Sequence, residues 1–167
     1  MSRGFVLVEV TIAYVLLTVV LVALLPVFIM AIRAGKKTEQ LQAATYLSQE
    51  LLEEVRMRKW DEKTTSTTRL HIDNPSATLG PDAGETSTDK TTFDDIDDFN
   101  GWTETPARDP LNVALPDFTA FSRSVTVTYV DSSLAAAGGT SDYKRVTVCS
   151  KTDKTQAFCL QTLFTNR

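Results

Sequence analysis

The chain is poor in the residues from which active sites are most often built. Its 167 residues include one histidine, His71, and two cysteines, Cys149 and Cys159. That leaves little material for a metal site or a nucleophile–base pair. There is no Ser-His-Asp or Cys-His set and no phosphate-cradling loop, so catalysis is not expected and no cofactor is. His71 reads as a surface residue, because no second histidine or nearby cysteine could share a metal with it. Positive charge is scarce in the middle of the chain. Residues 64–120 hold three basic residues, Arg69, Lys90 and Arg108, against eleven Asp and Glu, whereas 121–167 hold six against three, within a net charge of -4. An acidic middle argues against nucleic acid as a direct partner. The length suits one ordinary domain plus an anchor and is too short for two sizeable domains.

What the chain does have is a long apolar run. From Phe5 to Ile32 there are 28 residues, interrupted only by Glu9, Thr11, Thr18 and Pro26. A helix needs about 20 residues to cross the bilayer core, so this run is long enough. A secretory signal peptide has an apolar run of about 7 to 15 residues followed by small residues for cleavage, and neither feature fits. A plain single-pass anchor fits the length but not Glu9, since a carboxylate in the apolar zone costs on the order of 3 kcal/mol unless it finds a partner. Pro26 lacks a backbone donor and its ring clashes with the carbonyl of Val22, so a kink or a loosened turn is expected there.

The segment Arg3-Gly4-Phe5 followed by Val6-Leu7-Val8-Glu9 resembles the prepilin signature of type IV pilins and type II secretion pseudopilins. Four features coincide: a very short leader, Arg3 beside Gly4, Phe5 at the start of the apolar run, and Glu9 four residues after it. The resemblance implies a pilin-like α+β fold, a cut by prepilin peptidase after Gly4, and N-methylation of the new Phe5 amine by the same peptidase/methylase. It also implies a single-pass protein of the bacterial inner membrane with its C-terminal domain in the periplasm, extracellular once assembled. Its partners would be other pilin or pseudopilin subunits and the inner-membrane assembly platform. Cleavage would create a cationic amine one helical turn from anionic Glu9. In lipid the two charges gain by pairing, within one chain or between neighbours, so the carboxylate becomes a selection rule for assembly. Pro26 then reads either as a simple kink or as a point where the helix stretches inside a filament.

After the leader (1–4) and the transmembrane assembly helix (5–32), polarity changes at Arg33, Gly35, Lys36 and Lys37, and a helical pattern resumes. Leu41, Ala44, Leu47 or Ser48, Leu51, Leu52 and Val55 recur at spacings of three and four, with Glu50, Glu53, Glu54, Arg56, Arg58 and Lys59 on the other side. Residues 33–60 are therefore expected to continue the helix as an amphipathic arm whose apolar stripe packs under a C-terminal sheet. At about 1.5 Å per residue, Phe5 to Trp60 would run roughly 84 Å.

Residues 61–120 read as a loop-rich connection, with a short strand expected at Arg69 to Ile72. Within it lies FDDIDDFNGW, Phe93 to Trp102. Oxygen-rich loops of this kind can hold calcium, with Asp94, Asp95, Asp97 and Asp98 as the ligands. The spacing does not place Gly sixth and Glu twelfth as a helix-loop-helix calcium site requires. The favoured reading is an acidic turn pinned by Phe93, Ile96, Phe99 and Trp102 packing inward. This stretch and Tyr46 to Val55 also resemble minor pilins of the mannose-sensitive haemagglutinin class.

Residues 121–167 read as a small antiparallel β-sheet. Val125, Val127 and Tyr129 alternate with Ser124, Thr126 and Thr128, and Tyr143 to Cys149 and Ala157 to Phe164 follow, with a turn at Lys151 to Thr155. If Cys149 faces Cys159, Val148 faces Leu160 in the same register. The alternatives are a disulfide, worth about 3 kcal/mol for a loop of about 11 residues, or two reduced thiols. The compartment implied by the resemblance favours the bond. Function is expected to be structural, with a filament-displayed adhesin recognising a surface, glycan or DNA as the alternative, its surfaces being Phe93 to Trp102 and the loop at 131–142.

Overall fold

In the computed structural model residues 3–64, 72–152 and 157–166 are described, residues 3–6 by their backbone alone. A single long helix, α1 (Arg3–Arg56), precedes a four-stranded antiparallel sheet, the expected α+β arrangement. The chain divides into two units, Met1–Gln40 and Leu41–Arg167.

In the first unit the helix contains an apolar run long enough to cross a membrane. Its described side chains from Leu7 to Glu39 are exposed. Two threonine hydroxyls turn back on the backbone: Thr11 Oγ1 donates to the Val8 carbonyl at 2.8 Å, and Thr18 Oγ1 donates to the Tyr14 carbonyl. Such back-bonding satisfies a donor that apolar surroundings could not.

In the second unit the period of three and four decides what is buried. Ala44, Leu47, Ser48, Leu51, Leu52 and Val55 are buried, whereas Leu41, expected on the same stripe, is 52 % exposed. The helix ends at Arg56 rather than near Trp60. The cause is the backbone of Lys59, which accepts from the Ile96 amide at 2.9 Å and donates to the Asp94 carbonyl at 3.3 Å, a parallel bridge that a helix could not offer.

The sheet runs β1 (Thr103–Glu104), β2 (Phe121–Val130), β3 (Tyr143–Thr152) and β4 (Phe158–Thr165), hydrogen-bonded in that order. The β2–β3 register sets Val125 opposite Val148 and Val127 opposite Val146. The β3–β4 register sets Cys149 opposite Cys159 and Val148 opposite Leu160, as expected. The sheet is not confined to 121–167, because β1 comes from the region read as loops. Gly101 and Trp102 lead into it by exchanging backbone bonds with Val125. The expected strand at Arg69 to Ile72 and His71 lie outside the described residues, apart from Ile72; so does most of the turn expected at Lys151 to Thr155.

Leu51, Leu52 and Val55 of α1 pack against Val125, Val127, Val146 and Val148 of the sheet, with Phe93, Ile96, Phe99 and Trp102 closing the side. Phe93 meets Phe99 and Trp102 edge-on at centroid distances of 5.0 and 5.4 Å, so the aromatics of the acidic turn do point inward. Each such buried side chain contributes about 1.5–3 kcal/mol, enough to hold an irregular segment against the sheet.

Candidate functional site

The first candidate lies at the start of α1. Gly4 and Phe5 are in its first turn, with only their backbone described. Glu9 stands one helical turn beyond Phe5, so the two positions share a face. It is exposed, and so are Leu7, Val8, Val10 and Ile12 around it. Among the described residues no cation pairs with it. Helix continuity persists through Pro26, which deprives the Val22 carbonyl of its usual donor without ending the helix.

The second candidate is the turn at Phe93 to Trp102, whose aspartates are engaged within the chain. Asp98 Oδ2 accepts from the amides of Asp94 and Asp95 at 2.9 Å each. Asp95 Oδ1 accepts from those of Asp97 and Asp98 at 2.8 and 3.3 Å. The loop is thus held by its own carboxylates, the usual work of Asp in turns. Asp94 Oδ2 sits 2.7 Å from Lys59 Nζ, and that contact holds its carboxyl below the ordinary range. The same bond raises Lys59.

Two further acids, which spacing could not reveal, close on this turn. Oxygens of Glu62, Asp94 and Asp95 lie within 4.8 Å of one another, as do those of Glu85, Asp94 and Asp98. Burial, then the hydrogen bond protonated Glu85 donates to Asp98, pushes Glu85 up to about 7. Burial, then a hydrogen bond with Asp97, pushes Asp95 up to about 9. Crowded carboxylates keep protons that isolated ones release. The four aspartates offered as calcium ligands are engaged by backbone amides and lysines, while Asp94 Oδ1 and Asp95 Oδ2 have no hydrogen-bond partner among the described residues and each of the two carboxylate trios is close enough to hold a cation.

Beneath the turn lies a set of buried charges that the sequence reading missed. Lys90 Nζ is 2.8 Å from Glu54 Oε2 and 3.6 Å from Glu104 Oε2. Arg123 pairs with Glu104 through Nε and reaches Glu50 at 3.1 Å. Glu54, expected on the solvent side of the helix, is therefore a core residue, because a buried lysine on another segment meets it there. Lys144 Nζ lies 2.5 Å from Asp97 Oδ1 and 3.5 Å from Asp61 Oδ2. One signal could have found two of these residues. Arg123 has the strand parity of Val125, and Lys144 that of Val146, so strict alternation already puts both on the core face.

Cys149 and Cys159 form a disulfide with Cα atoms 4.1 Å apart. Cys149 is half-buried and Cys159 exposed, so the bond lies on the sheet face away from α1. Compared with protein-family models, with characterised proteins and with solved structures, the chain matches none.

Proposed function

We propose that this chain is a structural subunit of a type IV pilus or a related secretion filament, a minor pilin or pseudopilin rather than an enzyme. The narrower likeness is to the mannose-sensitive haemagglutinin class. Prepilin peptidase cuts after Gly4 and methylates the Phe5 amine, and the mature chain stays in the inner membrane by α1 with its sheet in the periplasm until the assembly platform draws it into a filament. The observation that supports this reading is Glu9, an exposed carboxylate with no cation paired to it among the described residues, in a stretch of α1 that is otherwise uncharged from Leu7 to Ile32. In lipid such a group needs a cation, and the amine released at Phe5 of a neighbouring subunit is of the right charge and depth. The methyl group leaves that amine basic.

The test is replacement of Glu9 by Ala in the full chain. Membrane insertion is expected to persist while incorporation into filaments stops; normal incorporation would sink the pairing mechanism. Replacing Gly4 should leave an uncleaved precursor of slower migration, and unchanged migration would remove the prepilin reading.

A further inference from the structure

Of the buried charges, Lys144 stands apart for what surrounds it. Its side chain and that of Asp97 are almost wholly enclosed, at 0 % and 2 % exposure. Nζ is 2.5 Å from Asp97 Oδ1, donates to the Trp60 carbonyl at 2.6 Å, and lies 4.1 Å from the Trp60 ring and 5.6 Å from that of Tyr129. Asp61 is the other acid facing it, at 3.5 Å, but Asp61 is already held by the amides of Lys63 and Ser76 at 3.1 and 2.8 Å. A second carboxyl, Asp95, neighbours Asp97, whose backbone amide donates to Asp95 Oδ1 at 2.8 Å. Asp95 Oδ1 is occupied by two backbone amides, which leaves the buried Oδ2, with no hydrogen-bond partner among the described residues, as the oxygen that can carry a proton.

We propose that Lys144 and Asp97 condense into an intramolecular isopeptide bond, with Asp95 as the acid that moves the protons. A desolvated ion pair can pass its proton from ammonium to carboxylate, because burial disfavours both charged forms. The neutral amine is then a nucleophile and the neutral carboxyl an electrophile. The Nζ lone pair forms a bond to Cγ of Asp97, giving a tetrahedral centre. Asp95 donates its proton to the departing oxygen and recovers one from nitrogen. The Cγ–O bond breaks and one water leaves, so amine plus carboxylic acid become amide plus water and no external reagent is required. Fixed proximity replaces a bimolecular encounter, an advantage of about 10⁵ M or more in effective concentration, and the aromatic walls keep water from reversing the step. The bond would tie the acidic turn to β3 across 47 residues of chain.

The pair Lys90–Glu54 is an internal control. Its Nζ lies 2.8 Å from Glu54 Oε2, and the neighbouring acid, Glu104, already accepts from Trp102 Nε1 through Oε2 and from Arg123 and the Arg108 amide through Oε1, so it has no free oxygen to carry a proton to that carboxyl. It is expected to stay ionic.

The experiment is peptide mapping by tandem mass spectrometry of the purified full-length protein after reduction. The expected product is one branched peptide joining the segments that contain Lys144 and Asp97, lighter than their sum by one water, with Lys144 resistant to trypsin. Asp97→Asn should link with loss of ammonia instead. Asp95→Asn should abolish the branched peptide while the fold, checked by near-ultraviolet dichroism, is kept. Unlinked Lys144 and Asp97 peptides from folded wild-type protein would overturn the proposal without recourse to any variant. So would a bond mapped to Asp61, or a branched peptide that persists in Asp95→Asn.

Discussion

The helical segment up to Gln40 and the unit from Leu41 onward place carboxylates among apolar groups in opposite ways. In the first, the one acid of the apolar run, Glu9, stands exposed and finds no cation among the described residues. In the second, Glu54, Glu104, Asp61 and Asp97 are buried, and each lies within 4.0 Å of a buried lysine or arginine of the same unit. A charge satisfied within the chain stabilises the fold of that chain. One left for a partner stabilises nothing until the partner arrives, and so can control association.

This contrast can be broken most severely in the second unit. Lys90→Ala leaves Glu54 buried and uncompensated and should cost about 4 kcal/mol in denaturant unfolding of the full chain in detergent. The double change Lys90→Met with Glu54→Leu should recover most of that loss; no recovery would mean that specific geometry, not charge compensation, is what matters. Next comes Cys149→Ser with Cys159→Ser, expected to cost about 3 kcal/mol through the freed loop. The same measurement checks it, and α1 should remain helical by circular dichroism. The corresponding change in the first unit should have the reverse sign. Glu9→Leu is expected to favour membrane insertion by about 2 kcal/mol, read as the inserted fraction at a translocon, because a stranded carboxylate is removed. Destabilisation there would show that Glu9 already has a partner within its own chain.

The smallest effect concerns protons. The affinity of Glu85 is raised by burial and by Asp98 from 4.5 to about 7, so the folded state holds a proton that the unfolded state has released. Its contribution is therefore full below about 4.5, and stability falls as pH rises from there to about 7. Melting should be slightly higher at pH 5 than at pH 7.5, by no more than about 1 kcal/mol after solvent screening, and Glu85→Gln should flatten the difference. A slope unchanged in that variant would assign the proton to another acid of the turn.

How much of this was legible beforehand differs by element. The inward face of β2 followed from period-two alternation; the β3–β4 register was consistent with Cys149 facing Cys159, and the bond between them was favoured by the compartment the resemblance implies. The stripe on α1 followed from its period, except at Leu41 and Glu54. Leu41 is exposed because the structure that covers the stripe begins only with Ala43 and Ala44. Glu54 is buried because Lys90, 36 residues away, brings it a counter-charge. The helix end was misread by four residues for a similar reason, since the bonds that capture Lys59 come from Asp94 and Ile96.

The sequence by itself determined the apolar run, the single acid within it and the alternation of the strands. All of these are properties of residues near one another in the chain. Only the tertiary structure decided which carboxylates are structural, that Glu62 and Glu85 crowd the acidic turn, and that Lys144 faces Asp97 across an enclosed aromatic pocket. A charge declares its type in the sequence, but its energy depends on burial and on the nearest opposite charge, and both are set by segments far away along the chain.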